Sequence, residues 1–519
     1  MKKNIIKVAL IFSIVATTIS CTKDFNEINS DSTGVEQLTL PDLFRGAFAK
    51  IIITKPEWQY QLQQNLNADL WSGYMATPTP FAGGSNNSTY NFINGWNDFA
   101  WTPAYNFLAY SDGIERKTKG KQDDFYALSL ILKVETMHRL TDIFGPVVYS
   151  QYGQGIIPVN YDSQEEVYNT MFAELDFAIN TLTAKIQSGA SSNLGGVDLS
   201  TYNGDMTKWV KFANSLRLRL AMRIVKVNNA LAKIQAEKSA THSIGVMTDN
   251  ADNFALNTNH PLKTVGRGWE DIKMSANMES ILIGYNDPRT SKFFDQSVAV
   301  PGQYKGIRSA INIVAKADHV GFSNLSDYIT SKVTFMTASE AYFLRSEGAL
   351  RGWNMGGGTA QTLYEDGIRK SFDQHGLSSA AANTYLTNNT NVPANYVDTA
   401  PGYAVNNSAA VSTVTIQWNG ADTNERKLER IITQKWIACF PDGQEAWSEY
   451  RRTGYPKLFP ALKNTSGGII DSNLGPRRLN FAISEVTRNA AGVSTGRAKL
   501  GGPDNGATRL WWDTTTANF

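Results

Sequence analysis

The side chains best suited to covalent or acid–base chemistry are scattered along this chain without the spacing such chemistry needs. His138, His242, His260, His319 and His375 form no H-E-x-x-H or similar ligand pattern, and neither a G-x-S-x-G elbow nor a phosphate-binding loop is present. Asp287-Pro288-Arg289 puts an acid beside a base. Pro288 fixes the backbone there, and the two charged side chains suit the hydrogen bonds of a turn, which is a structural role. Asp123-Asp124 and Glu165-Glu166 stand at expected helix starts, where the macrodipole favours acids. Glu340, Arg345, Glu347 and Arg351 have helical spacing, with Glu347 and Arg351 an i,i+4 pair. These residues predict no catalytic centre, no metal site and no cofactor. A glycosidase's two carboxylates leave no local signal, so a membrane-tethered hydrolase stands as the alternative reading.

Non-covalent recognition is better supplied. Sugars offer flat C–H faces and dense hydroxyls, which call for aromatic platforms beside amides, hydroxyls and guanidinium groups. The chain holds 24 Phe, 21 Tyr and 12 Trp, more than a core requires. Between Trp71 and Trp101, the aromatics Trp71, Tyr74, Phe81, Tyr90, Phe92 and Trp96 alternate with Asn86, Asn87, Asn94 and Asn97. Phe81 and Trp96 lie in or beside a Gly/Asn-rich loop and are the leading ligand-binding candidates, with Asn87 as a polar partner. Trp71 and Tyr74 share a helical face with Leu66 and Leu70, so they read as site or core alike. Arg267-Gly268-Trp269 and Gln417-Trp418-Asn419 add Arg267, Trp269 and Trp418, in breaker-rich surroundings. Trp101, with Tyr105 one turn on, reads as core.

The elements that must carry these residues are helical. Phe125, Leu128 and Leu132 begin an amphipathic run to Phe144 that Gly145-Pro146 stops; Tyr168–Leu182 and Trp209–Leu220 repeat the period, as do Ala338–Trp353 and Leu428–Cys439. Arg217, Arg219 and Arg223 are placed to lay their stems along a helix flank. Long polar stretches at 77–94, 188–207, 383–422 and 464–473 separate the helices, and loops of that length usually carry function.

The 519 residues are 42% hydrophobic and 18% charged, with a formal charge of +2, so the chain folds but lacks the field that gathers nucleic acid. Residues 1–20 read as an export signal: Lys2, Lys3 and Lys7 precede the apolar run Val8–Ile19, which is short for a permanent span. Ile19-Ser20-Cys21 resembles a bacterial lipobox, making Cys21 the acylated first residue of the mature chain and residues 21–34 a polar tether. Residues 35–519 then form one globular domain. Lipidation of Cys21 leaves Cys439 without a disulfide partner, in the apolar setting of a small core side chain.

In sum, the ordered segments resemble the SusD/RagB-type outer-membrane lipoproteins, within the SusD-like branch. The likeness runs through Phe125-Tyr126-Ala127, Asp142–Val147, Val167-Tyr168, Lys208–Leu220 and Asn286–Arg289. It continues in Met336–Leu344, Ile432–Trp436, Glu445-Ala446-Trp447, Tyr450–Pro456 and Leu510-Trp511-Trp512-Asp513. This sequence departs from the family pattern in lacking a Pro before Glu485 and a Gly or Ala before Cys21. The resemblance implies a mainly α fold, with a scaffold of four tetratricopeptide-like helix pairs and a loop-rich ligand-binding part. It implies no enzyme activity. It further implies a protein lipid-anchored at the outer membrane, exposed on the cell surface, that binds an oligomeric nutrient and delivers it to a SusC-like TonB-dependent barrel transporter. A glycan fits the low charge and the aromatic–amide composition best; a peptide or other oligomer is the alternative within the family.

Overall fold

A computed structural model describes residues 37–519, so the leader, Cys21 and the tether lie outside the described residues. The α-helices longer than ten residues are α1 (Leu40–Ile51), α2 (Asp98–Thr118), α3 (Asp123–Phe144), α4 (Gln164–Gln187), α5 (Met206–Arg223), α6 (Asn229–Ala240), α7 (Ala338–Leu350), α8 (Ala360–Gln374), α9 (Asn424–Ala438) and α10 (Gly443–Thr453). Their ends follow from local chemistry. Ser163 and Glu166 close a capping box at the start of α4. Gly145 ends α3 at φ 85°, a conformation glycine adopts without steric cost. The acidic pairs at 123–124 and 165–166 do occupy first turns.

The helices pack as α1 on α2, α3 on α4, α5 on α6 and α7 on α8, with α2–α3, α4–α5, α5–α7 and α7–α9 contacts joining one pair to the next. Short antiparallel ladders serve only as staples. Strand β1 (Met75–Ala76) pairs with β3 (Lys273–Met274), and β2 (Phe254–Leu256) with β4 (Val333–Met336). One large apolar core fills the helical part, and a small second cluster around Ile307, Ile311, Phe322 and Tyr403 supports the loops. Among the described residues no helix is long and apolar enough to cross a membrane.

The arginines of α5 do not lie along a flank. Arg219 and Arg223 are fully buried, a correction to the expectation from their spacing. Arg219 clamps Glu340 of α7 through Nε and Nη2 at 2.8 and 2.7 Å. Arg223 reaches Glu445 and Glu449 of α10 and sits 3.3 Å from Asp142 of α3. Lys435 of α9 donates to Glu445 at 2.8 Å, and Arg452 of α10 bridges Glu347 and Glu449 at 2.7 Å each. Glu347 also accepts from Arg351, as the i,i+4 spacing predicts. Arg289 donates to both oxygens of Asp287 at 2.9 and 2.6 Å and reaches Ser371 and Gln434, so this turn is a buried structural tie.

The C-terminus closes the same region. Trp512 donates its indole N–H to Asp142 at 2.8 Å, and Asp513 is held by Arg477 and Arg509.

Burial pushes the Glu445 carboxyl up, but Arg223, Lys435 and Arg219 outweigh it and hold the group at about 2. A folded-state value below the ordinary 4.5 means that its contribution is complete above pH 4.5 and is lost as pH falls towards 2. Glu445→Gln removes the carboxylate that Arg223, Lys435 and Arg219 share, although each keeps another acidic partner, and is expected to lower stability by about 1–3 kcal/mol at pH 7 in urea denaturation. The loss should shrink as both proteins are brought to pH 2. A variant as stable as wild type at pH 7 contradicts this account.

Candidate functional site

Three segments carry aromatic rings that are exposed or half-buried. The first carries Trp58, 45% exposed, on the short helix Glu57–Tyr60. The second is the loop from Thr77 to Asn97, with Phe81 and Trp96 half-buried and their centroids 6.3 Å apart, nearly perpendicular. Phe99, in the first turn of α2, has its amide bonded to the Trp96 carbonyl and its ring 5.2 Å from Trp58. The third is the π-helical turn Thr264–Gly268, which leads into Trp269, 36% exposed.

Asp271 knots these segments together. It accepts from Gln61 Nε2 at 3.2 Å, Thr79 Oγ1 at 2.6 Å and Lys316 Nζ at 2.8 Å, while the same Lys316 ammonium donates to the Trp269 carbonyl at 2.6 Å. Thr264 Oγ1 adds a 3.3 Å bond to Glu57. Rings held on fixed backbones lose little freedom when a ligand stacks on them.

The amides of the loop are its scaffold. Asn86 donates to the Phe81 carbonyl at 2.6 Å and accepts from the Ser88 amide at 2.8 Å, and Thr89 closes the turn on Asn86 N at 3.1 Å. Ala82, Gly83 and Gly84 all have positive φ, a tight reversal that projects Phe81. Asn87 was a candidate ligand contact. It is fully buried, donating to Asn67 and accepting from the Ile93 amide at 3.0 Å, so its side chain is spent on the loop. Asn97 is likewise buried, against Asn480. Asn91 and Asn94 remain exposed on the same loop.

Tyr74 also needs correcting. It has no exposed surface, its ring lies 4.9 Å from Trp436 and 5.1 Å from Phe440, and its hydroxyl donates to the Trp436 carbonyl. A ring enclosed on both sides offers no face to a ligand. Trp71 is 8% exposed, donates its N–H to the Asn87 carbonyl at 3.0 Å and packs against Trp447 and Phe92, away from the exposed rings. Trp418 is half-buried against Tyr364, and among the described residues no ring contact joins it to the others. Arg267 is exposed, its guanidinium engaged by Asp295 and, at 3.3 Å, by Asp327. Phe81 and Trp96 are thus brought together, with Trp58 and Phe99 beside them, while Trp269 is tied to the region through its carbonyl by Lys316, and among the described residues no ring contact joins it to the others. Trp58 carried a readable signal: an indole in the polar run Lys55-Pro56-Glu57-Trp58-Gln59.

Among the described residues no group of three or more His, Cys, Asp or Glu is arranged to hold a metal. The helix pairs form a tetratricopeptide-like frame, and its loops carry the aromatic rings. The chain belongs to the SusD-like family: the model for the SusD and RagB outer membrane lipoproteins matches residues 21–513. A chitin-binding SusD homologue from Flavobacterium johnsoniae is 54% identical, with a TM-score of 0.90 over 92% of this chain and 100% of that one. A SusD homologue from Bacteroides vulgatus is 35% identical (TM-score 0.86, 92% and 98% covered). A SusD-like protein from Bacteroides thetaiotaomicron is 34% identical (TM-score 0.86, 92% and 99% covered). No curated protein matches the chain.

Asn87→Ala leaves the Ile93 amide and the Asn67 amide oxygen without partners, at a cost of about 1–3 kcal/mol. Thermal denaturation should show that loss, and limited proteolysis should cut faster between residues 77 and 97. Unchanged cleavage there would count against a scaffolding role.

Proposed function

We propose that this protein is a glycan-capture lipoprotein of the outer membrane whose ligand is a chain of β-linked N-acetylglucosamine units, stacked across Trp58, Phe81, Trp96 and Trp269. The exposed, pre-ordered aromatic face carries the reading. The 54% identical relative described as chitin-binding supports the choice of sugar. The rings offer platforms for pyranose C–H faces and acetyl methyls, and Asn91 and Asn94 offer amides at the rim.

In this reading Cys21 bears the acyl chains, residues 21–34 form the tether, and residues 35–519 act as one globule on the cell surface. The glycan is held without covalent chemistry and handed to a SusC-like TonB-dependent barrel. A stiff helical frame suits such a lid, since it moves as one body while its loops keep hold of the ligand.

Titration calorimetry with a hexamer of N-acetylglucosamine should give saturable binding, with the glucose hexamer weaker. Trp96→Ala and Trp269→Ala should each weaken binding about three- to tenfold, the range of one aromatic contact, with the melting temperature of the exposed Trp269→Ala variant unchanged. The bound hexamer should be recovered at full length. Absence of heat with the hexamer, or its conversion to shorter sugars, would overturn the proposal. Purification from mild-detergent outer membranes should recover a large barrel protein in near-equal amount; recovery of this protein alone would remove the transporter part.

A further inference from the structure

Among the described residues Trp269 shares no ring contact with Trp58, Phe81 or Trp96, so its place relative to theirs is set through its backbone. That backbone is a tight turn. The Trp269 amide bonds to the Thr264 carbonyl at 2.8 Å and the Asp271 amide to the Val265 carbonyl at 3.0 Å, while Glu270 between them has φ 52°, in the left-handed region that side chains rarely adopt. A conformation of that kind persists only where its surroundings hold it.

The holding contacts meet at one ion pair. Lys316 Nζ donates to the Trp269 carbonyl at 2.6 Å and to Asp271 Oδ1 at 2.8 Å, so a single ammonium spans the strained residue. The same Asp271 carboxylate accepts from Thr79, two residues before Phe81, and from Gln61, three residues after Trp58. With each residue spanning at most ~3.6 Å, the links through Asp271 and Thr79 keep the Cα atoms of Trp269 and Phe81 within about 25 Å of each other.

Lys316 is itself seated. It opens the short turn Lys316–Asp318, in which Asp318 accepts from the Tyr403 hydroxyl at 2.5 Å and from the Ala315 amide at 3.0 Å. His319, the next residue, is fully buried, its Nε2 3.1 Å from Asp398 and its ring edge-on to Phe322 and Tyr403. The ammonium therefore projects from a fixed backbone. With side chains 35% and 15% exposed, the Lys316–Asp271 pair is of a kind that adds little to global stability. Its consequence lies in what it holds in place.

We propose that Lys316 and Asp271 are positioning residues for recognition: the pair fixes Trp269 relative to Trp58, Phe81 and Trp96, so that one glycan chain can lie on both platforms. This rests on the glycan reading above. A chain already stacked on one platform gains from the second only if that ring stands ready within reach. A residue that acts through Trp269 costs no more than Trp269 itself when changed, and nothing once Trp269 is gone.

Calorimetry with the N-acetylglucosamine hexamer should show Asp271→Asn and Lys316→Met each weakening binding about threefold, and by no more than Trp269→Ala does. In the Trp269→Ala background the same two substitutions should cost nothing further. Hydrogen exchange of the ligand-free protein gives an independent reading: Asp271→Asn should speed exchange in residues 264–271 and 77–81 together, with the long helices exchanging as in wild type. Wild-type protein that fails to bind the hexamer would overturn the glycan reading and this role with it. Where the wild type binds, Asp271→Asn or Lys316→Met of equal affinity overturns the positioning role alone. A loss that persists in the Trp269→Ala background does so too, since it marks direct contact with the sugar, as does unchanged exchange in either segment.

Discussion

The structure depends on charges that have no access to water. Arg219 and Arg223 carry positive charge from α5 to the place where α7 and α10 bring Glu340, Glu445 and Glu449, with Lys435 of α9 and Asp142 of α3 at the margins. Every partner comes from a different helix or from a different turn of the same one. An apolar seam tolerates small slips between helices with modest loss, because one methyl group substitutes for another. A desolvated guanidinium tolerates none, because a shift of one turn leaves it unpaired. The cluster therefore fixes the register of the helices, and the aromatic loops inherit their positions from that register.

The outer face shows how this precision is passed on. Its rings belong to loops, which ordinarily move more than the elements they connect. Here the loop amides are turned inwards as bracing, and Asp271 gathers three separate segments at one carboxylate. Aromatic area is thus presented to solvent on backbones braced by hydrogen bonds. Such a surface suits a ligand that offers many weak contacts, where ordering costs would otherwise consume the gain.

Much of the frame could be read from the chain. The 3.6-residue period from Phe125 to Phe144 and its stop at Gly145-Pro146 describe α3 almost to the residue, because local propensity and burial agree there. The burial of Arg219 and Arg223 could not be read, since their partners lie far off in sequence, from Asp142 to Glu449, and the same spacing suits an exposed flank. Phe81, Trp96 and Trp269 were legible as rings in breaker-rich sequence. Tyr74 and Asn87 misled for opposite reasons: a buried tyrosine and a buried asparagine have the same composition as a binding surface, and only tertiary contacts distinguish them. Trp58 had a signal in its polar neighbours, whereas the Asp271 knot had none.

The clasp of Trp512 and Asp513 on Asp142 and Arg477 bears on when this molecule becomes whole. Arg223 and Tyr168 reach Asp142 from positions near it in the chain, but Trp512 and Asp513 of that neighbourhood follow almost three hundred residues later. A chain emerging amino-end first can assemble its early helix pairs one after another while its central charges still await their closing partners. Completion of the interior therefore waits for residues 512 and 513. A product truncated before Trp512 would keep nearly all of its apolar surface yet expose an unfinished electrostatic centre, a difference that quality-control proteases can act upon.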